Sequence, residues 1–292
     1  MSTITVLMSV YASEKASYLS RALQSIWHDQ ERKPDQIVLV QDGLLPTQLQ
    51  DVISEFEKDV SGRLLLLKND VNLGLPKSLN KGIEYCTGDY VARMDSDDIA
   101  MPSRFRLQEQ FMDSHPDIGV IGGSIVEFND SSDDLGMRTY PVEPEKIRRY
   151  ICKANPLVHS TVMIRRSMVF DRGLRYSEKH RTSQDLALWY ECLAQGVKIS
   201  NLEETVLKFR RDDSTLVRRG KMSSRADEVA IYMTGIHKLY GPLSWRIIYP
   251  IARYMFRMLP TSLVRNLYSA EFRQRLLRGK SHVRGAAGRG EA

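Results

Sequence analysis

Within the first hundred residues, four short β-rich runs alternate with three amphipathic stretches of helical period, and this alternation restricts the chain more than any other feature. ITVLMSV (Ile4 to Val10), QIVLVQ (Gln36 to Gln41), RLLLLK (Arg63 to Lys68) and DYVARM (Asp89 to Met94) read as strands. Tyr18 to His28, Gln48 to Asp59 and Pro76 to Cys86 read as helices, the last with a proline in its first turn. Strands separated by helices do not pair as hairpins, so the pattern predicts an α/β fold with a mostly parallel central sheet flanked by helices.

Further along, Pro102 to Ser114 predicts a helix, and Ile118 to Phe128 a strand with a Gly-Gly bend. Asn129 to Gly136 reads as a polar loop, Glu143 to Lys153 as a helix, His159 to Arg166 as a strand, Ser183 to Gly196 as a helix and Lys198 to Arg210 as a strand. Arg225 to Tyr240 is helical, and Gly241-Pro242 breaks it. The expected division is a catalytic domain over 1–220, a C-terminal helical, basic amphipathic segment over 221–280, and a disordered tail over 281–292.

The net charge of +6 is unevenly spread. Pro242 to Ala292 holds ten Lys or Arg against two Glu, a balance of +8, whereas Met1 to Gly241 holds 32 bases against 34 acids. LSWRIIYPIARYMFRMLPTSLVRNLY (Leu243 to Tyr268) mixes bulky apolar and aromatic residues with arginines, which suits either a helix lying in a membrane interface or one packed on the domain with its arginines outward. Arginines interrupt every long apolar run, so no spanning helix is expected. The N-terminus lacks the basic start and long apolar stretch of a signal peptide, and Cys86, Cys152 and Cys192 fit no zinc or redox spacing. Both features predict a cytosolic protein with reduced thiols.

In an open α/β sheet, ligands bind outside the carboxyl ends of the strands, so the residues just after each strand carry weight. Here they are Tyr11 and Ala12, then Asp42-Gly43, then Asn69, Asp70 and Asn72-Leu73-Gly74, and finally Asp95, Asp97 and Asp98. Hard divalent cations such as Mg²⁺ and Mn²⁺ take oxygen ligands, and in an extended turn Asp95 and Asp97 point the same way. The residues alone fit two readings of D-S-D-D: a cation site, or a solvated turn that caps the Pro102 helix. Asp185 likewise fits a catalytic base or an acid placed in the first turn of its helix by the helix dipole.

Taken together, QIVLVQDG, NDVNLGLPKSLNKGIEYCTGDYVARMDSDD and TSQDLALWYECLAQG resemble the inverting family 2 glycosyltransferases of GT-A (Rossmann-like) fold, from about Ile4 to Arg219. The resemblance implies a UDP-sugar donor, with Asp42 on the uracil ring, Asp95 on the ribose or uridine, and Tyr11, Asn72, Lys77 and Arg93 on the same nucleotide-sugar side. It implies Asp97 as the ligand of an Mn²⁺ or Mg²⁺ cofactor, and Asp185 as the base, although many relatives carry Glu-Asp where this chain has Gln184-Asp185. FRRDDSTLVRRG resembles a loop that closes on the diphosphate, with Arg210 the better match and Arg218 the weaker; His159 and Trp189 border the acceptor pocket.

Within that family the HSTVMIRR segment and the short basic C-terminus resemble bacterial O-antigen and exopolysaccharide transferases. The implied reaction moves a galactose- or glucose-type hexose to a GlcNAc or GalNAc acceptor on undecaprenyl diphosphate, forming a β-linkage at the cytoplasmic face of the inner membrane. Two alternatives are a non-catalytic sugar-nucleotide binder, and a nucleic-acid-binding protein using the basic C-terminus. The second lacks any recognisable RNA or DNA module, so nucleic acid is not an expected partner.

Overall fold

In a computed structural model of the chain, residues 2–180, 182–211 and 222–258 are described. The first four strands are β1 (Ile4–Tyr11), β2 (Gln36–Asp42), β3 (Leu64–Asn69) and β4 (Tyr90–Met94), joined by α1 (Ala16–Trp27), α2 (Thr47–Asp59) and α3 (Leu75–Ile83). They pair in parallel in the order β3-β2-β1-β4. On α1 the residues Leu19, Ala22, Leu23 and Ile26 are buried, the i, i+3, i+4, i+7 face of a helix lying on a sheet. Each such leucine or isoleucine stabilises the fold by about 1.5–3 kcal/mol. The strand interiors are apolar on both faces, as a sheet covered on both sides requires.

The second half departs from the expected mostly parallel sheet. It adds β5 (Ile99–Ala100), α4 (Arg104–Ser114), β6 (Ile118–Asn129), β7 (Ser132–Arg138), α5 (Pro144–Tyr150), β8 (Met163–Arg165), α6 (Gln184–Ala194) and β9 (Lys198–Arg210). The full order is β3-β2-β1-β4-β8-β6-β9-β5, with β7 on β6. β8 runs antiparallel to both β4 and β6, β5 antiparallel to β9, and β7 antiparallel to β6, so the sheet is mixed.

Two local expectations are corrected. The segment read as a polar loop is half of a hairpin: Asn129 Oδ1 accepts the N–H groups of Ser131 and Ser132, both at 2.9 Å, and turns the chain back into β7. β7 is exposed almost throughout, which is why its composition reads as loop. The strand expected over His159 to Arg166 shrinks to Met163–Arg165, because His159–Thr161 forms a 3₁₀ turn closed by Thr161 N–H to Val158 O.

A seventh helix, α7 (Met222–Tyr240), lies against α6. Tyr232 meets the Tyr190 ring edge-on at 6.2 Å, and Tyr240 donates to the Arg148 carbonyl at 2.5 Å. The compact unit therefore runs to Ile247. The second unit begins at Ile248 and contains α8 (Ile248–Met258), on which Ile248, Ile251 and Met255 are exposed. Among the described residues no helix is long and apolar enough to cross a membrane. The expected tail over 281–292, the end of the interfacial stretch and Arg218 lie outside the described residues. Cys86, Cys152 and Cys192 are buried free thiols.

Candidate active site

The parallel register aligns the strand ends. Tyr11 pairs with Asp42 and Asp42 with Asn69, so three polar residues stand in a row at one edge, while β4 ends a turn earlier at Met94, opposite Met8. The acidic turn therefore begins short of the row formed by Tyr11, Asp42 and Asn69. Tyr11 is 39% exposed there, and Lys77 is exposed on the first turns of α3.

Asp42 is buried and organises the N-L-G turn. Its Oδ1 accepts Asn69 Nδ2 at 3.0 Å and Leu73 N–H at 2.8 Å, and its Oδ2 accepts Gly74 N–H at 2.9 Å. Asn72 Nδ2 reaches the Asp42 carbonyl at 3.5 Å. Gly43 has φ +87°, and a β-carbon there would collide with the Asn72 backbone nitrogen, so the D-G pair is required for the two turns to touch.

The carboxylates of Asp95, Asp97 and Asp98 present oxygens within 4.8 Å of one another. Asp95 is ion-paired with Arg93, which is 2% exposed. Burial, then the neighbouring charges of Asp95 and Glu14, push the Asp97 carboxyl up to about 7. Asp98 is driven well above the usual carboxylate range by burial and by Asp97. Its Oδ1 accepts the Arg210 N–H at 2.7 Å. Crowded oxygens whose repulsion raises their affinity for protons fit a hard divalent cation.

Arg210 is sandwiched between Tyr18 and Phe128, its guanidinium 3.7 and 4.4 Å from the two ring centroids. It donates to the Asp97 carbonyl at 2.9 Å and to Asp130 at 2.7 Å. Its visible work is therefore to shape the acidic turn. A second arginine that sequence reasoning missed, Arg104, is fully buried under the same turn. It donates to the Arg93 carbonyl at 2.8 Å and to Gln108 at 3.2 Å, while Gln108 donates to the Thr161 carbonyl at 2.7 Å. Burial pushes the Arg104 guanidinium down to about 9.

Asp185 lies in the first turn of α6, after Ser183, a non-glycine residue at φ +59°. Left-handed backbone at a non-glycine residue stores strain of the kind that clusters at functional sites. Burial raises the Asp185 carboxyl, opposed by the Leu186 N–H, by Asn155 Nδ2 at 2.6 Å and by the Arg93 charge. His159 Nε2 lies 2.9 Å from the Tyr176 hydroxyl. Trp189 is sealed in the core, edge-on to the His159 ring at 6.3 Å. Burial and the Arg93 charge hold His159 well below its usual range, hence neutral. Arg93 thus acts on Asp95, Asp97, His159 and Asp185 together. Asn155, Tyr176 and Asn80 escaped the sequence reading, since their contacts carry no periodic signal.

The site thus joins a mixed α/β sheet, an acidic turn at a strand's carboxyl end and a half-buried carboxylate that shares the charge of Arg93 with that turn. The family model described as Glycosyl transferase family 2 matches residues 5–174, and the chain belongs to that family. It is 30% identical to the amylovoran biosynthesis glycosyltransferase AmsE of Erwinia amylovora, over 91% of this chain and 98% of that one. It is 28% identical to an Escherichia coli UDP-Gal:alpha-D-GlcNAc-diphosphoundecaprenol beta-1,3-galactosyltransferase, over 92% and 96% of the two chains. The fold matches S. aureus TarS 1-349 in complex with UDP-GlcNAc with a TM-score of 0.64 at 17% identity, over 87% of this chain and 72% of that one.

Proposed function

We propose that the chain is an inverting transferase that moves a galactose- or glucose-type hexose from a UDP-sugar to a GlcNAc or GalNAc residue on a lipid diphosphate, in O-antigen or exopolysaccharide assembly. The observation that carries this reading is the placement of Asp185 and the Asp95–Asp98 turn around one buried arginine, Arg93. The donor and acceptor classes are supported by the activity of the E. coli relative and by the nucleotide sugar bound to TarS.

In this reading Asp42 and its N-L-G turn form the uridine end, with Tyr11, Asn72 and Lys77 at its rim and Asp95 toward the ribose. Asp185 takes the proton from the acceptor hydroxyl as that oxygen bonds to the anomeric carbon. The bond from that carbon to the UDP oxygen breaks on the opposite face, which inverts the configuration. Mn²⁺ or Mg²⁺ bound at Asp97 supplies charge neutralisation for the departing diphosphate. Arg210 holds the turn that positions Asp97.

An acceptor on a lipid places the enzyme at the cytoplasmic membrane surface. Leu243 (97% exposed) and Trp245 (65%), with Arg246 stacked on Trp245 at 5.3 Å, are the residues suited to that contact. Transfer assays with UDP-galactose, UDP-glucose and UDP-N-acetylglucosamine against a lipid-diphosphate-GlcNAc analogue test the reaction, with product anomeric configuration read by NMR. No product from any donor, or retained configuration, overturns it. Co-sedimentation of the full chain with anionic vesicles tests the membrane contact: a Leu243→Ser, Trp245→Ser variant that sediments as well as the native chain refutes it.

A further inference from the structure

His159 stands apart from the other members of the site in having one ring nitrogen committed and one open. Nε2 faces the Tyr176 hydroxyl at 2.9 Å, and Nδ1 has no partner among the described residues. Tyr176 is 2% exposed, and its hydroxyl has no other partner among the described residues, a setting that favours donation of its proton to Nε2. A neutral imidazole that accepts at Nε2 carries its own proton on Nδ1. The pair is anchored from the nucleotide half of the fold. Tyr176 N–H donates to Asn80 Oδ1 at 3.0 Å, and Asn80 Nδ2 donates to the Tyr176 carbonyl at 2.9 Å, which clasps the Tyr176 peptide to α3.

The location is specific. The Tyr176 hydroxyl lies among the charges of Arg93, Asp185 and Asp95. On the reading above, the transferred sugar must occupy that interval, because its anomeric carbon has to reach both the diphosphate and the hydroxyl deprotonated by Asp185. Behind the pair, Arg93 Nε and Nη1 and Trp189 Nε1 are buried N–H donors without partners among the described residues.

We propose that His159, fixed in one tautomer by Tyr176, donates from Nδ1 to a hydroxyl of the transferred hexose and so helps select which UDP-sugar is used. This rests on the reading of the site as a UDP-hexose transferase and revises the expectation that His159 borders the acceptor. A neutral, immobile donor discriminates epimeric hydroxyls by direction, because hydrogen bonds weaken steeply off line and an unmatched polar pair is left behind by the wrong epimer.

The test is calorimetry with Mn²⁺ on the full chain, measuring Kd for UDP, UDP-galactose, UDP-glucose and UDP-N-acetylglucosamine in the native protein and in Tyr176→Phe and His159→Gln. The native protein is expected to bind one UDP-hexose more tightly than UDP. In both variants the UDP Kd stays within about twofold, while that preference shrinks by about tenfold, the worth of one net hydrogen bond. ¹⁵N NMR of the native ring is expected to show the proton on Nδ1. A native protein that binds no UDP-hexose more tightly than UDP overturns the inference, as do variants with an unchanged preference, or with UDP and UDP-hexose weakened equally. If the native protein binds no uridine nucleotide at all, the underlying reading fails and the inference falls with it; intact UDP binding with an unchanged hexose preference removes the inference alone.

Discussion

Asn155 donates its Nδ2 proton to Asp185 Oδ2 over 2.6 Å, so the carboxylate at the start of α6 is aimed by a residue thirty positions upstream. Hydrogen bonding to the ionised form lowers a carboxyl pKa, against the burial that raises it here. Asn155→Ala removes that opposition, so the folded pKa of Asp185 rises further. The base works only when ionised, and activity is lost as pH falls through that pKa. The acid limb of kcat/KM against pH is therefore expected to move to higher pH in Asn155→Ala, while Asp185→Asn loses transfer by about 10³-fold across the range, within the span usual for loss of a general base. An Asn155→Ala limb that does not move contradicts this account.

Asp97 is protonated below about 7 in the metal-free protein. A cation at that carboxylate displaces the proton, so affinity rises with pH until Asp97 is fully ionised. Mn²⁺ titrations at pH 6 and pH 8 are expected to differ by about tenfold, the penalty of one proton displaced roughly one unit below its pKa. In Asp97→Asn the pH dependence disappears together with most of the affinity.

Arg210 braces the same turn through its side chain, and its backbone bond to Asp98 survives any substitution. Arg210→Gln is expected to lower Mn²⁺-dependent UDP affinity by about tenfold, as expected for loss of a charged hydrogen bond, and to leave metal-free UDP binding unchanged. Asp130 is 60% exposed, so Asp130→Ala is expected to leave the thermal unfolding midpoint almost unchanged.

The parallel half was legible because each of its elements declares its period within a dozen residues: β1 to β4 and α1 to α3 fall within a few residues of their expected bounds. The second half depends on pairings that local pattern does not encode. β5 has two residues, β7 is a polar strand on an outer edge, and β8 is cut short by the turn that presents His159. The site divides the same way. The D-S-D-D cluster is contiguous and visible, whereas Asn80 meets Tyr176 across 96 residues and Arg104 reaches Val162 across 58. These are properties of the packed chain, because a buried donor selects whichever carbonyl the fold delivers.

The buried Arg104 follows from that logic. Among the described residues it has no carboxylate hydrogen-bonded to it, and it is satisfied by the Arg93 carbonyl, Gln108 and the Met94 sulfur. Arg104→Ala leaves the Arg93 carbonyl at the end of β4 and Gln108 Oε1 without their donor, and a loss of about 3 kcal/mol is expected in urea unfolding, the scale of breaking a buried charged network. Arg104→Met fills the volume without the charge and is expected to lose less.

The attachment of α7 turns on Gly235, whose missing side chain lets the helix sit directly on the Tyr190 ring. A β-carbon there would overlap three ring carbons, and Tyr190 is buried with its hydroxyl donating to the Ile151 carbonyl at 3.1 Å, so the ring has little room to retreat. In a solvated helix, replacing glycine stabilises by up to about 1 kcal/mol. Here the sign reverses, and Gly235→Val is expected to destabilise by about 2 kcal/mol through overpacking. Trimming the partner in Gly235→Val, Tyr190→Leu should recover part of that loss, a coupling that a double-mutant cycle in urea measures directly. Additive losses, or a Gly235→Val protein as stable as the native one, would mean that α7 does not rest on Tyr190.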